Sequence, residues 1–332
     1  HRRPQHRPKL RQPHAPPQDS WARQAQGSCR RCRKRTRRRR AQRLRQRHRP
    51  RSPTASSGAT PLHPHVTTAH PFFRGTRHPR VFAHRGLVTA DAAARGIAEN
   101  SAQAVADAVS AGAEYVESDC QLTRDGAVVL CHGDNLRRVL GDPRTLLEVD
   151  LEELRALMAP CGGLITLAEA LEQFPDTRFN IDIKAITAAA PAGAIMAEHV
   201  DQVLVAAFSN ARRTTALRAI AQAGAHARPA TSGGTGTLIP VLLAVWLGWR
   251  WLAARSLRDI DALQIPERQG RLRVLSPRLI ALAHSLDVEV HVWTVNEAID
   301  MRRLLDAGVD GLITDRADLA LAIVSEWAHA RG

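Results

Sequence analysis

The pattern of hydrophobic and polar positions divides the chain at about residue 80. Beyond that point short apolar runs alternate with longer stretches of helical periodicity, the pattern of repeated strand–helix units around a parallel sheet. The strand-like runs are residues 81–83, 114–119, 178–184, 202–209, 227–232, 260–265, 288–294 and 309–314, and 127–131 is left over as a hairpin return. Eight such units in the remaining chain predict a TIM (β/α)8 barrel over residues 81–332 rather than an open sheet. Between the first two runs, Ala104, Val105, Ala108 and Val109 recur at helical spacing, so residues 101–111 are predicted to form a helix with one buried face and Asn100 or Ser101 as its N-cap.

Residues 237–252 are the most apolar stretch, with Trp246, Trp249 and Trp251 near its end. Pro240 and Arg250 interrupt it, and it falls short of the ~20 residues a membrane span needs. It reads as a buried barrel helix, with interfacial docking through the Trp cluster as the alternative.

Polar residues gather at the carboxyl ends of the strand-like runs: His84-Arg85-Gly86, Glu117 and Asp119, Asp182 and Lys184, Ser209, Trp293 and Asn296, and Asp315. Barrel enzymes carry their chemistry at that end. The most informative stretch is EYVESDCQLTRDGAVVLCH, residues 114–132. Side chains two apart on a strand share a face, so Glu117 and Asp119 converge while Ser118 points away, a ready place for a hard cation. Arg124-Asp125-Gly126 favours a reversal, which returns His132 to the carboxylates. The run RFNIDIK repeats this logic with Asn180, Asp182 and Lys184 on one face. A metal for Asp182 and a phosphate for Lys184 would satisfy them.

Charge changes the picture for the amino-terminal part. The first 80 residues hold 23 Lys and Arg against a single acidic residue, Asp19, while the rest of the chain is net acidic. With neither a hydrophobic period nor core-forming residues, residues 1–80 are expected to be a disordered, arginine-rich tail. Clustered arginine can bind phosphate backbones without sequence preference, so a nucleic-acid-binding arm is the alternative from a different functional class. Cys29 and Cys32 have the spacing of half a zinc knuckle but lack a second pair. No apolar stretch follows the basic start as in a secretory signal, and five cysteines predict reduced thiols in a cytoplasmic setting.

Taken in order, His84-Arg85-Gly86, Glu99-Asn100, Glu117-x-Asp119, Thr123-x-Asp125-Gly126, Val128-Val129-x-x-His132, Asn180-Ile-Asp182-Ile-Lys184, Trp293-Thr-Val-Asn296 and Gly311-Leu-Ile-Thr-Asp315 resemble the glycerophosphodiester phosphodiesterase family. The resemblance spans residues 81 to about 327 and leaves the basic tail outside. It implies a TIM barrel that hydrolyses small-molecule glycerophosphodiesters to glycerol 3-phosphate and an alcohol with one divalent cation, Mg²⁺ or Ca²⁺, and no nucleic acid in the reaction. On the same basis His84 and His132 would be the general acid and base, and Glu117, Asp119 and Asp182 would hold the metal. Arg85 and Lys184 would bind phosphate, Trp293 and Asn296 would contact substrate, and Glu99 would be an additional site residue. The chain departs from the family pattern at Asp182, where Glu is more common, and at Gly133, which separates His132 from Asp134. The Trp-rich stretch also admits lysophospholipids or related lipid phosphodiesters as substrates.

Overall fold

The structure, a computed structural model, describes residues 70–331. The arginine-rich arm, with Cys29 and Cys32, lies outside the described residues. Eleven strands occur among them: β1 (Arg80–His84), β2 (Tyr115–Leu122), β3 (Val128–Leu130), β4 (Arg178–Ile183), β5 (Val203–Ala206), β6 (Ala230–Thr231), β7 (Ala262–Pro266), β8 (Arg268–Gln269), β9 (Leu272–Arg273), β10 (Glu289–Trp293) and β11 (Gly311–Thr314). All eight runs expected from the sequence form parallel strands, in the order β6-β5-β4-β2-β1-β11-β10-β7. A parallel bridge between Ser232 and Ala262 joins the two ends, and the Asp261 N–H donates to Thr231 C=O at 3.0 Å. The sheet therefore closes into a (β/α)8 barrel. β3 runs back antiparallel along β2 with Leu130 opposite Cys120, the return that the Asp-Gly turn predicted. β8 and β9 form a small exposed hairpin after β7.

Inward and outward positions alternate along the strands, as their pleat requires. The outward set, including Val81, Val116, Ile181, Val205, Leu263, Val290 and Leu312, packs in the main core with the surrounding helices. Residues 102–110 form one of these helices. Ser101 Oγ accepts from the Ala104 N–H at 3.1 Å, and Ala104, Val105 and Ala108 are buried. The inward set forms layers: Phe82, Tyr115, Leu204, Ala230, Ala262 and Ile313 fill the middle of the barrel with Phe72 and Phe73.

The packed part of the chain begins before Val81, where the sequence reading opened it. Pro71–Phe73 is a short 3-10 turn whose two phenylalanines are fully buried; Phe72 meets Tyr115 at 5.3 Å between ring centroids, and the Arg80 guanidinium lies 4.6 Å from the centre of the Phe73 ring. Burying two such side chains stabilises by roughly 3–6 kcal/mol, enough to fix a segment that has no periodicity of its own. Arg80 is itself buried. Its Nε and Nη2 donate to Glu289 Oε2 and Oε1, both at 2.8 Å, and Nη1 donates to Thr76 Oγ1 at 2.7 Å and Tyr115 Oη at 3.0 Å.

Between β3 and β4 an insertion carries a separate small core of Leu136, Leu146, Val149, Leu154, Met158 and Leu164, which packs on Val129 of β3. The apolar stretch after β6 differs from its expected burial. Residues 235–247 form a helix whose Thr237, Val241 and Ala244 are buried, while Ile239, Leu243 and Trp246 are exposed. Its apolar residues exceed what one buried stripe accommodates. No described helix is long and apolar enough to cross a membrane.

Candidate active site

The carboxyl ends of the strands open into one cavity of about 490 Å³. Its floor is charged: His84 and Arg85 from β1, Glu117 and Asp119 from β2, His132 from the turn after β3, and Asn180, Asp182 and Lys184 from β4. Its walls are apolar, with Phe208, Leu238, Ile239, Leu242, Leu272 and Trp293 among them.

Local backbone geometry explains the His84-Arg85-Gly86 sequence. His84 ends β1 pointing into the cavity. Arg85 and Gly86 then take left-handed conformations, φ 60° and 86°, so the chain turns away while the Arg85 N–H stays bonded to Glu117 C=O at 2.7 Å. A Cβ on Gly86 would lie 2.6 Å from the Ala104 carbonyl carbon and oxygen, so only glycine permits this turn against helix 102–110.

His84 Nδ1 donates to Asp315 Oδ1 at 2.6 Å, which leaves Nε2 facing Glu117, 3.8 Å from Oε2. Burial alone would raise the Asp315 carboxyl, but hydrogen bonds from His84 and from Asn296 Nδ2, 2.7 Å, hold it below the usual carboxylate range. Asn296, expected to contact substrate, braces the His84–Asp315 pair, since its Oδ1 also accepts from the Asp315 N–H at 2.9 Å. The sequence reading noted Asp315 at its strand end without giving it a site role; the Thr-Asp closing the last strand was the available signal. The neighbouring Trp293 lines the cavity and meets Phe208 edge to face at 5.8 Å.

Because β3 returns along β2, the Cys131 N–H donates to Asp119 C=O at 2.8 Å, and His132 stands over the carboxylates as expected. Partial burial, reinforced by Arg85, Lys184 and Arg138, lowers its imidazole to about 4 against the pull of Asp119. It is therefore neutral at pH 7 and able to accept a proton.

Glu117, Asp119 and Asp182 lie side by side on adjacent strands, Asp119 in register with Asp182, and all three are buried. Lys184 Nζ sits between Asp119 Oδ1 and Asp182 Oδ2, 2.7 Å from each, and Arg85 Nε lies 3.0 Å from Asp119 Oδ2. Those cations hold Asp119 below the usual range despite burial, whereas burial with the charges of Asp119 and Asp182 pushes Glu117 up. Among the described residues no three metal-binding side chains stand together as a ready cage, and Lys184 and Arg85 both engage Asp119. The fit to a hard cation rests instead on three buried oxygens without a hydrogen-bond partner, Glu117 Oε2, Asn180 Oδ1 and Asp182 Oδ1. They are oxygen donors of the kind Mg²⁺ or Ca²⁺ takes, and buried polar atoms are otherwise almost always satisfied. Asn180 was not assigned to the metal from sequence, although its place two residues before Asp182 on the same face was a signal.

Glu99 does not line this cavity. It accepts from Arg85 Nη1 at 2.6 Å and pairs with Arg138 of the insertion, anchoring the Arg85 side chain from behind. Ser118, on the far face of β2, donates to Asn100 Oδ1 at 2.6 Å, and so ties the loop bearing Glu99 to the strand bearing the carboxylates.

Comparisons with known proteins agree with this geometry. The model of the glycerophosphoryl diester phosphodiesterase family matches residues 84–319. A probable glycerophosphodiester phosphodiesterase 2 of Mycobacterium tuberculosis is 38% identical over 254 residues, covering 75% of this chain and 92% of that protein. A lysophospholipase D of Rattus norvegicus is 25% identical over 65% of this chain and 79% of its own length. Among solved structures, an Oleispira antarctica phosphodiesterase in complex with the product sn-glycerol-3-phosphate superposes with a TM-score of 0.57 at 19% identity, over 75% of this chain and 97% of that one.

Proposed function

This chain belongs to the glycerophosphoryl diester phosphodiesterase family and is a phosphoric diester hydrolase, and from that premise we propose that it hydrolyses glycerophosphodiesters to glycerol 3-phosphate and an alcohol by histidine acid–base catalysis. The observation that carries the reading is the convergence of two histidines, three carboxylates and two cations on one cavity floor.

The chemistry follows from the charges. A phosphodiester is anionic, so an approaching oxygen nucleophile is repelled unless positive charge offsets the phosphoryl oxygens. Arg85 and Lys184 supply fixed positive charge at the floor. A divalent cation bound by Glu117, Asp119 and Asp182, with Asn180 beside them, would polarise the phosphoryl group and stabilise charge in the transition state. His132, neutral at pH 7, takes the proton from the attacking oxygen. His84 gives a proton to the departing alcohol, and Asp315 stabilises its imidazolium form and fixes its orientation. We place the reaction in the cytoplasm: Cys120, Cys131 and Cys161 are all unpaired thiols.

A second reading is favoured by the walls. Phe208, Leu238, Leu242, Leu272 and Trp293 rise from the charged floor as an apolar lining, which suits an acyl chain and makes lysophospholipids candidate substrates. Release of glycerol 3-phosphate or lysophosphatidate from glycerophosphocholine and lysophosphatidylcholine separates the two readings. Either His84→Ala or His132→Ala is expected to reduce turnover by at least about a hundredfold with the fold intact, and near-normal turnover in either variant would refute the acid–base assignment.

A further inference from the structure

The helix at residues 235–247 and the short helix Arg250–Ser256 that follows carry more exposed apolar surface than the catalytic reading uses. Ile239, Leu243 and Trp246 recur at helical spacing along the outer face and are 61%, 43% and 78% exposed, and Trp249 and Trp251, 44% and 64% exposed, stack with ring centroids 6.0 Å apart. A soluble surface tolerates single exposed apolar residues, but a contiguous patch marks a contact. This patch is continuous with the cavity, because Leu238, Ile239 and Leu242 of the same helix line its wall.

The chain around the patch is rich in arginine. Residues 202–258 contain seven arginines and no Asp or Glu. Arg228 is taken up by Asp261, and Arg258 shares a cavity with Asp259, Asp261 and Asp287, but Arg218, Arg250 and Arg255 are exposed and form no ion pair among the described residues. Across the cavity mouth the β8–β9 hairpin adds Arg268, Arg271 and Arg273, also exposed and without ion pairs, around the exposed Leu272 that lines the cavity with Gln269. Tryptophan and aliphatic side chains with unpaired arginines at either end of the flank fit the boundary of an anionic bilayer: the indoles sit at headgroup depth and the arginines meet lipid phosphates.

We propose that this flank of the barrel, the 235–256 helical pair with the β8–β9 hairpin at its upper edge, docks the enzyme side-on on an anionic lipid surface, with the cavity mouth opening beside the bilayer. Docking there does not depend on the chemistry at the cavity floor, so a failed activity assay and a failed binding assay are distinguishable.

The test is binding of the full chain to vesicles of phosphatidylcholine alone or with about 30% phosphatidylglycerol, in low salt and in about 0.5 M salt, where charge contacts of the arginine-rich arm are screened within a few ångströms. Sedimentation reports binding, and quenching of tryptophan fluorescence by brominated acyl chains reports insertion. The comparison protein carries Leu243→Ser, Trp246→Ser and Trp251→Ser, none of which lines the cavity. The wild-type chain is expected to stay on anionic vesicles in high salt and to be quenched. The variant is expected to bind at least about tenfold more weakly in high salt, with unchanged thermal unfolding and unchanged turnover of soluble glycerophosphocholine. Equal binding by both proteins, or wild-type binding that vanishes in high salt without quenching, would assign the contact to the arm and overturn the proposal. So would a concentration-dependent dimer that the variant abolishes.

Discussion

Replacing Arg80 with methionine tests whether the amino-terminal end of the barrel is held by a buried charge network. Arg80 and Glu289 are both inaccessible to solvent, and the guanidinium makes four hydrogen bonds, two of them to the carboxylate. Burial pushes Glu289 up, but Arg80 and His291, whose Nε2 donates to Glu289 Oε2 at 2.9 Å, overcome it and keep the carboxyl below its ordinary range. Arg80→Met keeps the apolar stem that lies against Phe73 and strands a buried carboxylate with one imidazole. Breaking such a pair costs about 3–5 kcal/mol, which for a domain of this size lowers Tm by about 6–20 °C. Removing both charges in Arg80→Met/Glu289→Leu is expected to restore most of that loss, because the cost lies in the orphaned charge rather than in a missing attraction. Circular dichroism melts of the four proteins of the cycle, with urea midpoints as a check, give the coupling. A single variant within about 1 kcal/mol of wild type, or a double variant less stable than the single, would refute the reasoning.

Asp310 gives a pH prediction. It is fully buried, and burial opposes its charge, yet hydrogen bonds from His284 and His78 and from the Val290 N–H bring its carboxyl down to about 2. A depressed folded-state pKa means that its contribution, roughly 2–3 kcal/mol, is fully present above the unfolded value near 4 and is lost as pH falls toward 2. Urea midpoints measured from pH 7 to pH 3 should fall more steeply for wild type than for Asp310→Asn, and parallel curves would contradict this. In the active site, Asp315→Asn is expected to lower kcat by about 10²–10⁴-fold with little change in KM, whereas Asn296→Ala, one step further out, should cost less. Steady-state kinetics on glycerophosphocholine decide it, and an Asn296 effect larger than the Asp315 effect would reverse the order of support.

The strands were legible because each is a short apolar run bounded by polar residues. The carboxylates at their ends were legible because a period of two puts alternate side chains on one face, as with Glu117 and Asp119. The barrel floor was not. Arg80 fell in the expected disordered tail, and Glu289 and His291 lay in an expected strand without a role, although Glu289-x-His291-x-Trp293 keeps the inward period; nothing in residues 70–79 announced that Phe72 and Phe73 plug the barrel. Such contacts depend on residues distant in the chain. The same holds for the hydrogen bond that Asn296 gives Asp315 and for the bridge that Lys184 makes between Asp119 and Asp182. The 235–247 helix was read as buried because its composition is apolar all round, and composition alone does not say how much of a helix the sheet covers.

The most direct test of the account is release of glycerol 3-phosphate from glycerophosphocholine by the purified chain, before and after EDTA, with Mg²⁺ or Ca²⁺ then restored. Activity that is lost on chelation and returns with one of these cations, but returns only weakly in Asp182→Asn, is the expected result. Full activity in excess EDTA, or an Asp182→Asn variant with the metal response of wild type, would contradict the carboxylate-held cation at the centre of the account.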